Sequence, residues 1–300
     1  MTSVAGIEPP PHRSVGRRLS AWLYRWPGVR LGALLAAPFS WIVVLYLGSL
    51  AVLLVSAFWQ LDTFTGEVVH QPTLKNFQTI VEVPVYRTIA LRTIAMAVAV
   101  TVACALLAFP IAYTMARLAS KQMRRLLLVA ILIPLWASYL VKVYSWRVIL
   151  GEEGVLNWLL EPFGATGPGY SITGTWLVFT YLWLPYMILP LYAGLERIPS
   201  SLLEASSDLG ARSGRTFFRV VLPLVFPALV VGSIFTFSLT LGDYITPEVV
   251  SSTQFIGNVI YDNVGVANNL PLAAAYAFVP ISVMVVYLLL ARRAGAFENL

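Results

Sequence analysis

The residues of this 300-residue sequence that could do chemistry are few, and they lie at or near the ends of long apolar runs. Asp243 and Tyr244 directly follow Leu239-Thr240-Leu241-Gly242, with Ile245, Thr246 and Pro247 after them. A carboxylate at a membrane face costs several kcal/mol if unpaired, so such a residue either marks a route for solute or ends a helix at the aqueous surface. Both readings are open. An ammonium group beside Asp243 and over the ring of Tyr244 would gain from charge and from cation–π attraction. Tyr139, Trp183 and Tyr186 are further candidates for the same route, although anchoring at the membrane interface accounts for most aromatics near span ends.

Ser138, Lys142 and Ser145 are spaced by four and three and share one helical face, turned toward a cavity or a partner helix. Long basic side chains near a span end can reach the aqueous surface. Lys142 and Arg147 are therefore read as snorkelling outward to pair with Glu152 or Glu153. His12 and His70 both lie outside the apolar runs, which leaves no histidine for an intramembrane metal site or proton relay. Cys104 is the one cysteine and forms no internal disulfide. A Gly-x-Ser-x-Gly elbow is absent, so no nucleophile–base pair assembles by the usual rules and no catalytic residue is assigned. No G-x-x-x-x-G-K-[ST] loop occurs either, so the chain has no ordinary cradle for ATP.

What must position these residues is a membrane scaffold. The chain is 58% hydrophobic and 11% charged, with a mean hydropathy of +0.78, far from the composition of a soluble domain. No polar stretch reaches the ~50 residues that a separate soluble domain needs. Six runs are long enough to cross a bilayer: about 31–58, 88–116, 126–150, 175–195, 220–244 and 272–291. Residues 1–30 form an N-terminal tail, 31–294 the transmembrane domain and 295–300 a C-terminal tail. The loop 151–174, broken by Pro162, Gly164, Gly167, Pro168 and Gly169, carries an apolar patch at Val155, Leu156, Trp158 and Leu159 that predicts a short interfacial helix.

Basic residues set the orientation. With the N-terminus inside, the inner segments hold fifteen of the twenty Lys and Arg, and the outer ones only Lys75, Arg87, Arg92, Lys142 and Arg147. Both termini therefore face the cytoplasm. The net charge of +6 reflects this flanking pattern and does not point to nucleic acid. Outer loops are acidic instead, with Asp62, Glu67, Glu82, Glu152, Glu153, Glu161, Glu248 and Asp262, and their Asn157, Asn258, Asn263 and Asn268 could touch a docking protein.

One polar stretch is wedged between two apolar runs on the inner side: Glu204 to Pro223, EASSDLGARSGRTFFRVVLP. Ser201 with Glu204 has capping-box spacing, which predicts a short helix there. Gly210 after Leu209 provides a left-handed stop, and a second short helix restarts near Gly214. Two short helices outside the lipid form a surface for another protein to grip.

Glu204-Ala205-Ser206, three residues, Gly210, nine residues, then Val220, any residue, Leu222-Pro223 resembles the EAA loop of bacterial ABC importer permeases. Ser206 stands for the second Ala and Val220 for the Ile. The resemblance covers about residues 33–294 and implies an all-α, polytopic, six-helix permease of the MetI-like fold in the bacterial cytoplasmic (inner) membrane. It implies that the chain is not an enzyme, and that 196–223 is a coupling loop in which Glu204, Ala205, Ser206, Leu209, Gly210 and Pro223 meet or brace for a separate ATP-binding cassette ATPase. That ATPase dimer would hold the ATP and Mg, with no cofactor or metal in this chain. A second permease, a sister chain, and an extracytoplasmic solute-binding protein are the other implied partners, besides membrane lipid. Gly242-Asp243-Tyr244-Ile245-Thr246-Pro247 and the run from Trp136 to Arg147 are similar to the spermidine/putrescine-type branch. An anion or ferric ion as solute, and an ion-driven secondary carrier or channel as mechanism, are the alternatives; the second leaves the inner loop unexplained and lacks mid-span acids.

Overall fold

A computed structural model describes residues 27–62 and 64–293. The expected N-terminal tail lies almost wholly outside these residues, as does the C-terminal one. The first unit, up to Val55, is taken by itself. Its helix starts at Pro27, ahead of the expected boundary, as α1 (Pro27–Trp41), and passes through a π-helical stretch (Ile42–Leu47) into α2 (Gly48–Ser56). Residues 34–56 are long and apolar enough to cross a membrane.

The second unit begins at Ser56. Its outer loop holds the only strands among the described residues, β1 (Gln60–Leu61) and β2 (Val68–Val69), antiparallel with Gln60 opposite Val69. Helices follow in order: α3 (Lys75–Glu82), α4 (Pro84–Tyr113) with a π-helical extension Thr114–Leu118, α5 (Lys121–Trp136), α6 (Tyr139–Leu150), α7 (Val155–Leu160) and α8 (Ile172–Glu196). The chain continues through α9 (Ser200–Asp208), α10 (Ser213–Thr216), α11 (Leu222–Gly242), α12 (Ile245–Val250), α13 (Ile256–Gly265) and α14 (Leu270–Arg293). The expected interfacial helix is α7, with Trp158 on its exposed side.

Three helices make the core. Val100, Cys104, Ala108 and Ala112 of α4 recur every fourth residue and are fully buried, so one stripe of α4 faces α8. Small side chains on that stripe let the helices approach, as membrane packing requires. Across α8 and α11 the fit depends on glycine: a Cβ at Gly194 would lie 2.5 Å from Ala228 Cβ, and one at Gly232 would lie 2.7 Å from Met187 Sδ. Buried hydroxyls return to their own helix, as Thr180 Oγ1 donates to Trp176 O and Thr240 Oγ1 to Thr236 O, which removes the penalty of a polar group in lipid.

The sequence predicts one straight span over 126–150, and here the structure differs. Ala137 and Ser138 are extended, and α5 and α6 meet at 96°. The pair still crosses once. Arg117 at the end of α4 donates to Leu195 O at the end of α8, while Arg92 near the start of α4 donates to Gln254 O and Tyr170, just before α8, donates to Arg147 O of α6. Helices α4 and α8 therefore run parallel, and the chain between them must return across the membrane through α5 and α6. Among the described residues, five long apolar helices and this bent pair give six candidate spans.

Candidate functional site

On the side that the charge bias assigns to the cytoplasm, α9 and α10 form the polar loop. The capping box expected at Ser201 and Glu204 is not made. Pro199 takes the N-cap position and the helix starts two residues early, so Ser201 lies inside its first turn. Its other end forms as the sequence predicts: Gly210 has φ +74°, Gly210 N donates to Ser207 O, and Ala211 N donates to Ser206 O, a complete Schellman closure. This turn lifts Leu209 into solvent at 88% exposure, beside the exposed Glu204 and Ala205. The Ser206 hydroxyl meets that of Thr216 at 2.9 Å and fixes α9 against α10. Pro223 sits at the start of α11, where the chain leaves the π-helical stretch Phe217–Val221 that joins α10 to α11 in one continuous helix.

At the other end of α11 the chain turns on Asp243. Its Oδ1 accepts the backbone N–H of Ile245 at 2.9 Å and of Thr246 at 3.1 Å, which makes Asp243 the side-chain cap of α12. Its Oδ2 accepts the Thr246 hydroxyl at 2.9 Å and the Tyr139 hydroxyl, and those two hydroxyls also meet at 2.8 Å. Three oxygens thus form a closed triangle that has only two hydroxyl protons to share. Tyr139, first residue of α6, joins the α11–α12 turn because the 96° bend brings it there.

From Tyr139 an aromatic series runs inward along α8. The Tyr139 ring is parallel to Trp183 at 6.1 Å between centroids, Trp183 meets Tyr186 edge-on at 6.0 Å, and Tyr186 lies 6.3 Å from Phe235. Trp183 Nε1 is buried without a hydrogen-bond partner. The structure therefore brings Asp243, Tyr139, Trp183 and Tyr186 together. Tyr244 stands apart, with its ring stacked on Tyr261 at 4.5 Å. Sequence reasoning missed Thr246, which supplies the second hydroxyl, and Phe235.

Of the outer asparagines, Asn157, Asn258 and Asn263 bond within the chain, while Asn268 is exposed. Asn258 is 2% exposed, donates to Tyr244 O and Glu248 Oε2, and accepts from Phe255 N. Asn157 closes the α7 loop through Gly151 O, Glu152 O and Gly167 N. Arg147 does not pair with Glu152 or Glu153; it donates to Val249 O and lies over the Tyr170 ring. Around it a cavity of about 570 Å³ is lined by Arg147, Tyr170, Glu248, Gln254, Asn258 and Asp262.

These features match a known group of proteins. The family model described as binding-protein-dependent transport system inner membrane component matches residues 108–296, which contain both the polar loop and the Asp243 turn. The chain belongs to that family. It is an ABC importer permease of the inner membrane. It is 44% identical over 310 aligned residues to the inner membrane ABC transporter permease protein YdcU of Escherichia coli (strain K12), with 98% of each chain covered. It is 30% identical over 233 residues to the spermidine/putrescine transport system permease protein PotB of Haemophilus influenzae, covering 76% of this chain and 81% of that one. Its fold is similar to a chain in the crystal structure of a bacterial alginate ABC transporter in complex with alginate pentasaccharide-bound periplasmic protein, with a TM-score of 0.64, 18% identity, and 93% and 96% of the two chains covered.

Proposed function

We propose that this permease carries linear amines of the putrescine and spermidine class inward, by alternating access, with ATP hydrolysed by a separate ATPase. The observation that supports the substrate class is the Asp243–Tyr139–Thr246 triangle at the head of the Tyr139–Trp183–Tyr186 series. A carboxylate short of one proton, next to aromatic faces, suits a primary ammonium, which brings three donors and is attracted to π systems. In this reading an amine displaces the Tyr139 hydroxyl from Asp243, loosens α6 from the α11–α12 turn, and moves on over Trp183 and Tyr186. Tyr244 contributes through its backbone carbonyl and its stack on Tyr261, which keep the turn in place. The PotB relative, named for spermidine and putrescine, favours the same class.

Coupling falls to Glu204, Ala205, Ser206, Leu209, Gly210 and Pro223. ATP and Mg bind the ATPase dimer, whose closure draws this loop toward that of a sister permease, and a solute-binding protein delivers the amine from outside. The test is uptake of labelled putrescine and spermidine into proteoliposomes holding the complete complex. Uptake that requires internal ATP and the binding protein, and that excess sulfate or ferric ion does not reduce, is expected. Transport of an anion or metal instead, or uptake driven by an ion gradient without ATP, overturns the reading.

A further inference from the structure

Two arginines on the cytoplasmic side do more than set orientation. Arg117 Nη2 donates to Leu195 O at 2.7 Å, in the last turn of α8, and to Ile198 O at 2.6 Å, in the link between α8 and α9. A guanidinium there adds charged donors to carbonyls at the helix end and opposes the negative end of its dipole. Arg124, in the first turn of α5, makes three bonds: Nε to Met115 O at 3.0 Å, Nη2 to Ala116 O at 3.1 Å, and Nη1 to Glu196 Oε1 at 3.0 Å. Glu196 also accepts the Tyr192 hydroxyl, and its bond to Arg124 is the one ion pair among the described residues. Five bonds from two side chains therefore tie the ends of α4 and α8 to the start of α5.

Helix α5 leads from this knot to the 96° bend and Tyr139. Arg124 and Trp136 are twelve residues apart, about 18 Å along a helix axis. Whatever moves the root of the coupling loop moves Glu196, and Glu196 is held by the helix whose far end adjoins Asp243.

We infer that Arg117 and Arg124 are positioning residues that pass displacement of the coupling loop, through Glu196, into α5 and so to the Tyr139–Asp243 contact. This rests on the reading of the chain as an ATP-driven permease. It assigns the motion to one identifiable element, α5, bonded to the root of the loop at one end and adjoining the Tyr139–Asp243 contact at the other.

The reporter is the exposed Ser138 at the bend, as Ser138→Cys in a Cys104→Ala background, alkylated by a membrane-impermeant maleimide in the assembled complex. Rates are compared without nucleotide and with Mg-ATP plus vanadate. The parent is expected to change its rate on adding nucleotide. Arg117→Ala and Glu196→Ala are expected to keep ATP hydrolysis but to shrink that change by at least about fivefold, the lower end of ordinary coupling between sites. Glu196 is half exposed, so its truncation leaves the fold intact even if Arg117→Ala does not accumulate. Adding Arg124→Ala to Glu196→Ala should cost less than the sum of the two singles.

A purely structural role predicts lower thermal stability with the full nucleotide response, and that result overturns the inference. Loss of hydrolysis together with the response also overturns it, by placing these residues in docking rather than transmission. A parent that shows no nucleotide response refutes the ATP-driven reading itself, a failure distinct from that of the joint.

Discussion

The hydroxyl of Tyr139 meets the carboxylate of Asp243 across 104 residues of sequence. It joins the start of α6 to the turn between α11 and α12, and neither partner's neighbours in the chain predict the other. Asp243 consequently does two things at once. One oxygen caps a helix and the other holds a tyrosine and a threonine.

Separating those two tasks is the purpose of Asp243→Asn. The amide oxygen can still accept Ile245 N–H and Thr246 N–H, so α12 and the assembly with the ATPase are expected to persist. The charge that would receive an ammonium is gone. A carboxylate–ammonium contact is worth ~1.5–3 kcal/mol, so putrescine uptake is expected to fall on the order of tenfold or more at equal protein level in proteoliposomes. Asp243→Ala should additionally lower the unfolding temperature, because loss of a helix cap costs about 1 kcal/mol.

Gly210 offers a test on the opposite face. Its φ of +74° is left-handed, yet a Cβ there would meet nothing within 4 Å, so any defect on substitution is conformational rather than steric. Gly210→Val should raise the energy of the turn by roughly 1–2 kcal/mol and displace Leu209. Expected are normal membrane insertion, reduced co-purification of the ATPase and loss of uptake, followed by quantitative pull-down.

Leu209 itself should behave differently. At 88% exposure it contributes nothing to the packing of this chain. Leu209→Asp is therefore expected to leave thermal unfolding of the isolated permease unchanged while weakening ATPase binding at least about tenfold, as for an anchor worth ~2 kcal/mol at an interface. Unchanged ATPase binding would remove Leu209 from the docking surface.

Gly194 and Gly232 test packing rather than function. The space beside each is taken by Ala228 and Met187, so Gly194→Val and Gly232→Val should each destabilise the α8–α11 contact by about 1–3 kcal/mol, the usual cost of overpacking. Unfolding in detergent should show the loss, and Gly214→Val, with open space around it, should not.

How much of this was legible in the sequence divides along a physical line. Features encoded by neighbours were: the apolar runs, the glycine that closes α9, the short helix at Val155 and the polar loop between two spans. Features that depend on tertiary approach were not. The bend at Ala137 and Ser138 contains neither glycine nor proline, and Pro134, three residues earlier, is compatible with a mere kink. Ser201 and Glu204 matched a capping pattern that failed because the residue before Ser200 is a proline already extended for the N-cap position. Arg117 and Arg124 were legible as inside charges, but the carbonyls they bind belong in part to a helix some eighty residues away. Asn258, read as a surface contact, is buried because α13 packs against the Asp243–Tyr244 turn, so closely that a Cβ at Gly257 would lie within 3.0 Å of that backbone.

The break between α5 and α6 has a consequence for where this subunit can stand. An extended dipeptide partway through a bilayer crossing leaves amide groups without helical partners, and hydrocarbon offers them none. Trp136, Ala137 and Ser138 are all exposed, so this chain does not shelter them itself. Lipid alone is thus a poor solvent for one flank of the molecule, and the elbow points to the flank where hydration or a neighbouring polypeptide must begin.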